Sequence, residues 1–421
     1  MLKINSSTSS PGVQRRRLRH GPRALQHPLF RRVVVASSIA HLVRFIDFTV
    51  TAWLVVQLSD NPSAVGLLVF FRIIPFLVLG PYIGTLLDRY PRIRIFRLTQ
   101  VGLAVAALLF ALVILGGFTS LTAIYLYSVV SGSLMACEIA SRRAYIASIV
   151  GPAALGSALA LEMVSLNVAW FIGTNFGGVL AKLVNPSAIF MTVSASFIVN
   201  FYILRRLPRM FRPDQSSQTA NPFKSFADGY KLVRSDRAIM IGLLVVGINN
   251  FFGYGFESMA PAFARDRFGA GPTEFGLLMS AQALGALIVA GYIATKGRRI
   301  TNPGFLLLAA AIIQGVGGIG YSFAQTFGIG FIALIGLGFV SMVFGIAHTT
   351  LILRAVPPNF RGRIMGFQLL MMGLFPIGSL ALGFTADRIG LGDAVRLFSI
   401  VGLILLTFIW VKHPIVRKPM S

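Results

Sequence analysis

The chain has 421 residues, 55% of them hydrophobic and only 12% charged, with a mean hydropathy of +0.77. A soluble protein carries about twice that charged fraction, so this composition excludes an ordinary soluble enzyme. The formal net charge of +25 would suit a nucleic-acid binder, but the positions of the charges argue against that reading.

Residues 1–32 hold eight Lys/Arg and no apolar stretch of the kind a signal peptide needs. They are read as a basic, lipid-facing, disordered cytoplasmic tail. From residue 33 onward, long runs almost free of charge recur, such as VGLAVAALLFALVILGG at 101–117. About 20 apolar residues in a helix cross a bilayer core. The pattern predicts twelve spans near 33–58, 63–87, 96–116, 120–141, 154–180, 187–207, 238–264, 273–295, 304–324, 327–353, 362–386 and 393–412. Turn residues mark the joints: Asp60-Asn61-Pro62, Gly116-Gly117, Gly151-Pro152 and Pro357-Pro358. A single cysteine, Cys137, excludes an internal disulfide.

Twelve spans place both termini on one side. Of the 38 Lys/Arg, 31 fall on that side when Arg142 and Arg143 are counted with the loop after the fourth helix. Five (Lys182, Arg265, Arg267, Arg388, Arg396) fall on the other, and Arg44 and Arg72 lie inside spans. The positive-inside rule then makes both termini cytoplasmic, and nucleic acid is not expected as a partner. The polar stretch 208–237 separates a six-helix bundle at 33–207 from another at 238–412, with a tail at 413–421. At an offset of 206, VGPAALG (150–156) aligns with VPPNFRG (356–362) and Gly177 with Gly383. The expected fold is an all-α membrane protein of two pseudo-symmetric bundles, with a substrate path between them.

Gly84-x-x-x-Asp88-Arg89-x-x-Arg92, between the second and third helices, resembles the signature loop of the major facilitator superfamily. Pro91 replaces the loop glycine, Ile93 replaces the last basic residue, and Arg94 follows one place late. A degenerate copy without the acid runs from Gly291 through Lys296 to Arg299. VVQLSDNPSAVGLLVFFRIIPFLVLGPYIGTLLDR, SRRAYIASIVGPAALGSALALE and MAPAFARDRFGAGPTEFGLLMSAQALGALI resemble the superfamily's enterobactin-exporter and transmembrane secretion effector branch. The resemblance covers residues 33 to 412.

Physically, Gly84 would let another helix approach closely. Asp88 would face the amides at the start of a neighbouring helix, and the resemblance implies the eleventh, near Gly362. Arg89 and Arg92 would meet carbonyl ends or lipid phosphate. Together these would latch one conformation, against the plainer reading of a solvated turn. Helix 5 carries Gly173-Thr-Asn-Phe-Gly177-Gly178, where superfamily antiporters often show G-P-x-x-G-G. Thr174 stands at the proline, which weakens the antiporter inference while the glycines remain.

A charge in mid-span costs at least about 2.5 kcal/mol, which makes each one a functional candidate. Spacing three along the first helix makes His41, Arg44 and Asp47 neighbours, so Arg44 and Asp47 are expected to neutralise each other, permanently or until a proton or substrate separates them. Arg72 is a candidate contact for Asp47 or for an anionic substrate group. Glu162, about 12 Å into its helix, is a candidate proton carrier or the partner of an arginine. Glu138 and Arg142 form an i,i+4 pair read as a cytoplasmic gate. Asn249, Asn250 and Glu257 are placed where the halves face each other, with Glu257 on the face of Asn250. His348 is read as a hydrogen-bonded core residue.

No Walker loop and no H-E-x-x-H is present, so neither ATP-driven pumping nor zinc chemistry is supported, and no metal or cofactor is expected beyond a proton gradient. The expectation is a monomeric secondary exporter of a small amphipathic molecule, a siderophore-like metabolite or drug, in contact with membrane lipid. Against it stand an importer or lipid flippase on the same fold, and a non-transporting scaffold or sensor. Exchanging Asp88→Asn should slow the transport cycle while substrate binding is largely retained. Turnover equal to the parent in reconstituted vesicles would count against the latch.

Overall fold

Several helices begin where the sequence supplies a proline or a capping side chain for the first free amides. The computed structural model describes residues 23–209, 230–296, 301–356 and 360–413, and twelve helices among them are long and apolar enough to cross a membrane. They are α1 (Pro28–Leu58), α2 (Pro62–Arg89), α3 (Arg92–Leu115), α4 (Leu121–Gly151), α5 (Ala154–Leu183), α6 (Pro186–Arg205), α7 (Arg237–Arg267), α8 (Pro272–Lys296), α9 (Pro303–Ser322), α10 (Phe327–Ala355), α11 (Gly366–Ile389) and α12 (Leu391–Lys412). No strand occurs among the described residues.

Proline occupies the first turn of α1, α2, α6 and α9, where its missing N–H removes nothing that a helix needs. Side-chain oxygens of Ser120, Asn185, Asp236 and Asn302 accept from the free amides that open α4, α6, α7 and α9. Gly151, at φ 68°, is the one non-helical residue between α4 and α5, and Gly390, at φ 88°, turns α11 into α12.

Three expectations change. α1 starts at Pro28 rather than 33, preceded by a 3-10 turn at Arg23–Gln26. Ala24 and Phe30 are buried with Ile93 and Tyr145, so this part of the basic segment belongs to the bundle. α4 runs to Gly151, ten residues beyond the expected end at 141, because no glycine or proline interrupts it sooner. Arg142 and Arg143 therefore lie within a helix rather than in a loop. α7 is interrupted by two π turns, Asn249–Gly253 and Phe263–Arg267. Residues 1–22, most of the 208–237 connection, Gly297 to Arg299 of the second loop copy and 414–421 lie outside the described residues.

Helices α1–α6 form one half and α7–α12 the other, joined along α5 with α8 and α2 with α11. Lipid offers apolar contacts equal to those of leucine, so helices associate by close approach at small residues. A Cβ on Gly178 of α5 would lie 2.5 Å from the Pro272 carbonyl oxygen and 3.0 Å from Gly276 Cα of α8. Across the other contact, a Cβ on Gly66 of α2 would lie 2.7 Å from the Ser379 carbonyl oxygen of α11. The two seams repeat one arrangement, as two related bundles require. Gly173 and Gly177 instead admit α1, whose Leu42 oxygen and Thr49 Cβ would stand 2.8 and 2.9 Å from added methyl groups.

These approaches between halves lie toward the face opposite the termini. Near the termini, Gly80, Gly84, Gly156, Gly291 and Gly366 are exposed, and among the described residues no atom lies within 4 Å of a Cβ position. Gly84 thus shows no close packing against a described residue in this conformation. Arg89 is exposed, and Arg92 donates to the Ala144 carbonyl of α4 at 3.2 Å. The side chain of Asp88 and those at 361–363, at the start of the facing helix, lie outside the described residues.

Gly178→Leu or Gly276→Leu would press a side chain onto backbone that cannot yield. Each should cost about 1–3 kcal/mol and lower the melting temperature of the purified protein, whereas Gly84→Leu should leave it nearly unchanged.

Candidate functional site

Four helices of the first half bring ionisable groups into the interior, α2 through Arg72. α1 supplies His41, Arg44 and Asp47, α4 supplies Tyr127, Glu138, Arg142 and Arg143, and α5 supplies Glu162. Glu138 is about 20 Å from the end of α4 by helical rise, well inside the apolar layer. Each buried charge there needs an opposite charge within hydrogen-bond reach.

Arg44 and Asp47 do not pair with each other, contrary to the expectation from their spacing. Arg44 Nη2 meets Glu138 Oε2 at 2.6 Å, and Asp47 Oδ2 takes the guanidinium of Arg72 from α2. Spacing along one helix identifies neighbours on that helix but says nothing of charges offered by other helices. Arg72 thus makes the Asp47 contact anticipated for it. Tyr127 donates to Asp47 Oδ1 at 2.8 Å, and the Arg72 guanidinium lies 5.5 Å from the centre of the Phe48 ring. Tyr127 is held by Phe110, stacked at 4.4 Å, and by Phe190 edge-on.

The second group is larger. Arg142 Nε faces Glu138 Oε1 at 2.9 Å and Nη1 faces Glu162 Oε1 at 3.0 Å. The same Nη1 lies 2.7 Å from His41 Nε2. Arginine can only donate, so His41 Nε2 accepts and the ring proton sits on Nδ1, toward Ser165 Oγ at 3.4 Å. Arg143, with half its side chain exposed, reaches Glu162 at 3.5 Å. Arg142 is among the largest fully buried side chains, and Glu138 has no exposure. The Glu138–Arg142 pair therefore forms, but it sits deep in α4, and all its described partners belong to the first half. In each group the buried charges balance: Arg44 and Arg142 against Glu138 and Glu162, and Arg72 against Asp47.

The second half is nearly charge-free inside. Asn250 donates to the Val246 carbonyl of its own helix at 2.9 Å, Asn249 faces Gln314 Oε1 at 3.5 Å, and Gln282 reaches the half-buried carboxylate of Glu257. A π turn begins between Val246 and Glu257, so the spacing of seven that placed Asn250 and Glu257 on one face of a regular helix does not carry over directly. The π turn at Asn249–Gly253 takes more than 3.6 residues per turn and rotates the remainder of the helix about its axis. His348 bonds to Gln368 of α11, as its reading as a core residue anticipated. No group of three His, Cys, Asp or Glu able to hold a metal occurs among the described residues.

Tyr127, Arg143 and Ser165 escaped the reading of the sequence. A lone hydroxyl in an apolar run gives no signal until its partner is known, and Arg143 was assigned to a loop.

Comparison with known proteins gives a consistent result. The family model described as Major Facilitator Superfamily matches residues 33–377, and the chain belongs to that family, which is one of transporters and not of enzymes. The Staphyloferrin A transporter of Staphylococcus aureus (strain NCTC 8325 / PS 47) is 24% identical over 370 residues, covering 87% of this chain and 91% of that one. The Enterobactin exporter EntS of Shigella boydii serotype 4 (strain Sb227) is 26% identical over 365 residues, covering 81% and 80%. Among solved structures, a bacterial homologue of the human lysosomal transporter Spinster, in an inward-facing and unoccupied conformation, superposes with a TM-score of 0.71. It is 16% identical and covers 94% of this chain and 99% of that one. A D-xylose–proton symporter gives a TM-score of 0.69 at 14% identity, covering 93% and 99%. The fold is that of these transporters, and the chain is a multi-pass membrane protein that serves membrane transport.

Replacing Arg142→Gln leaves Glu138 and Glu162 without the cation between them and should cost about 3–5 kcal/mol. Arg143→Gln, at a half-exposed position, should cost under about 1 kcal/mol. Thermal unfolding of the two purified variants separates these outcomes.

Proposed function

We propose that this chain, a member of the Major Facilitator Superfamily, is a secondary exporter that moves a small amphipathic, siderophore-like molecule out of the cell in exchange for protons. The observation that carries this reading is the pair of buried charge groups on α1, α2, α4 and α5, beside the line where two helical halves meet. A structural element alone has little use for six charges in the apolar layer, where replacing them with packed apolar groups is often neutral or stabilising.

The basic residues concentrate on the face of the termini, which supports a cytoplasmic placement of both ends in the cell membrane. With that orientation the close glycine contacts between the halves lie on the outside, and the glycines toward the cytoplasm are exposed. This conformation would receive a cytoplasmic substrate. Siderophore transport by the staphyloferrin A and enterobactin relatives, the second of them an exporter, supports both the substrate class and the direction. Arg72 Nη1 is buried and has no hydrogen-bond partner among the described residues, so it is a donor available to an anionic or oxygen-rich group on the substrate.

Proton entry acts on the same contacts. A proton on Asp47 removes the charge that holds Arg72, and a proton on Glu162 removes half of what holds Arg142. Protonating His41 at Nε2 requires Arg142 to leave it. In each case a pair that fastens two helices of the first half together loosens, α1 to α2 at Asp47, α4 to α5 at Glu162 and α1 to α4 at His41, and this frees the halves to rock. The seam is internal to one chain, so a monomer is sufficient.

Asp47→Asn keeps the shape and removes the titratable charge. In proteoliposomes with an imposed pH gradient, the variant should insert normally and lose most of the proton-driven flux of a metal-free siderophore probe. Flux and coupling equal to the parent would remove Asp47 from the mechanism, and flux of opposite sign in inside-out vesicles would make the protein an importer.

A further inference from the structure

The tip of the α1–α2 hairpin is gripped from the other half at two points, each with a charge matched to a helix end. Asp387, in the last turn of α11, accepts from the backbone N–H of Ser63, the second residue of α2, at 3.0 Å through Oδ1. Arg265, near the end of α7, donates to the Ser59 carbonyl at 2.9 Å and to the Val56 carbonyl, and lies 3.2 Å from Asp60. These oxygens belong to the last turn and C-cap of α1, where carbonyls have no partner within the helix. An anion thus sits on the positive end of α2 and a cation on the negative end of α1.

The placement of Asp387 is informative because it is wrong for its own helix. A carboxylate in a last turn meets the negative end of the dipole, so nothing local to α11 favours it. What favours it is the start of α2 in the other half. The residue pattern also occurs twice. Gly84-x-x-x-Asp88-Arg89 closes α2 near the termini, and Gly383-x-x-x-Asp387-Arg388 closes α11 at the opposite face. At Gly383 the reason for glycine is visible: a Cβ there would stand 2.8 Å from Ser63 Cα and 3.2 Å from the Pro62 carbonyl oxygen. Glycine allows the contact, and the aspartate four residues on secures it.

We propose that Asp387 and Arg265, with Gly383 as the point of approach, form a latch that holds the halves together on the face opposite the termini. It releases each time that face opens. In the opened state both helix ends of the hairpin are exposed to water, and the two charges are hydrated separately. The latch contributes to the balance between the two conformations and does not touch the substrate. It rests on the reading that the halves rock.

The test is double electron–electron resonance on the full chain in lipid nanodiscs, in a Cys137→Ser background, with spin labels at Phe118→Cys and Gln325→Cys. These positions are exposed in the α3–α4 and α9–α10 connections, one in each half, and neither side chain belongs to the latch. Asp387→Ala and Arg265→Gln should each raise the population with separated tips about two- to fivefold, as a helix-end charge interaction implies. Asp393→Asn, which removes an exposed acid paired among the described residues only with Arg396 of its own helix, should leave the distances as in the parent. Distances unchanged in both latch variants would overturn the proposal. So would an equal shift in Asp393→Asn, which would make surface charge in general the cause. The two latch variants lie on different helices, so a folding defect in one leaves the other to decide. No substrate is present, so the distances report on the latch even where a flux assay refutes export.

Discussion

Arg142 is the group on which the interior of the first half depends. It is fully buried on α4, with Glu138 of its own helix on one side and Glu162 of α5 on the other, and His41 of α1 accepts from the same guanidinium. An ion in an apolar layer is tolerated only when its partners surround it. That requirement fixes the mutual placement of three helices more narrowly than apolar side chains would. It also explains why α4 continues past Arg142 as helix: that charge is met from neighbouring helices and needs no water, while half-exposed Arg143 reaches Glu162 of α5.

The halves share an architecture but differ in what they hold. The first encloses two balanced charge groups, and the second encloses amides, hydroxyls and the single acid Glu257. Electrostatic pairing is directional and breaks in discrete steps, while amide and aromatic contacts adapt. The chemistry that can respond to a proton is therefore concentrated on one side of the seam. Glycines at the seam supply the other condition. Backbones in direct contact, as at Gly178 and Gly276, have no side chains to disentangle when they part.

Much of this was legible in the sequence. Charge-free runs and turn residues gave the twelve helices, and the echo at offset 206 pointed to the two halves. The candidate charges were legible too, because each is conspicuous in an apolar run. Their partners were not. Arg44 and Asp47 are adjacent on one helix, yet each is claimed by a residue far away in the chain, Glu138 and Arg72. Only the packing of helices decides between a near neighbour and a distant one. Arg142 and Arg143 looked like the start of a loop for the same reason: what makes them acceptable inside is carried by α1 and α5. The π turn at Asn249–Gly253 was not legible either, since it leaves no mark in residue spacing.

That irregular stretch has a mechanical meaning. In α7 the N–H groups of Tyr254 and Phe268 bond five residues back, to Asn249 and Phe263, at 3.1 Å each. Each such turn leaves the ladder of hydrogen bonds wound more loosely, and such turns are places where helices bend. Arg265 sits within the second of them. The residue that holds the α1–α2 tip is thus mounted on a jointed arm with two elbows, able to swivel away from the hairpin while the inner part of α7 stays packed in its bundle.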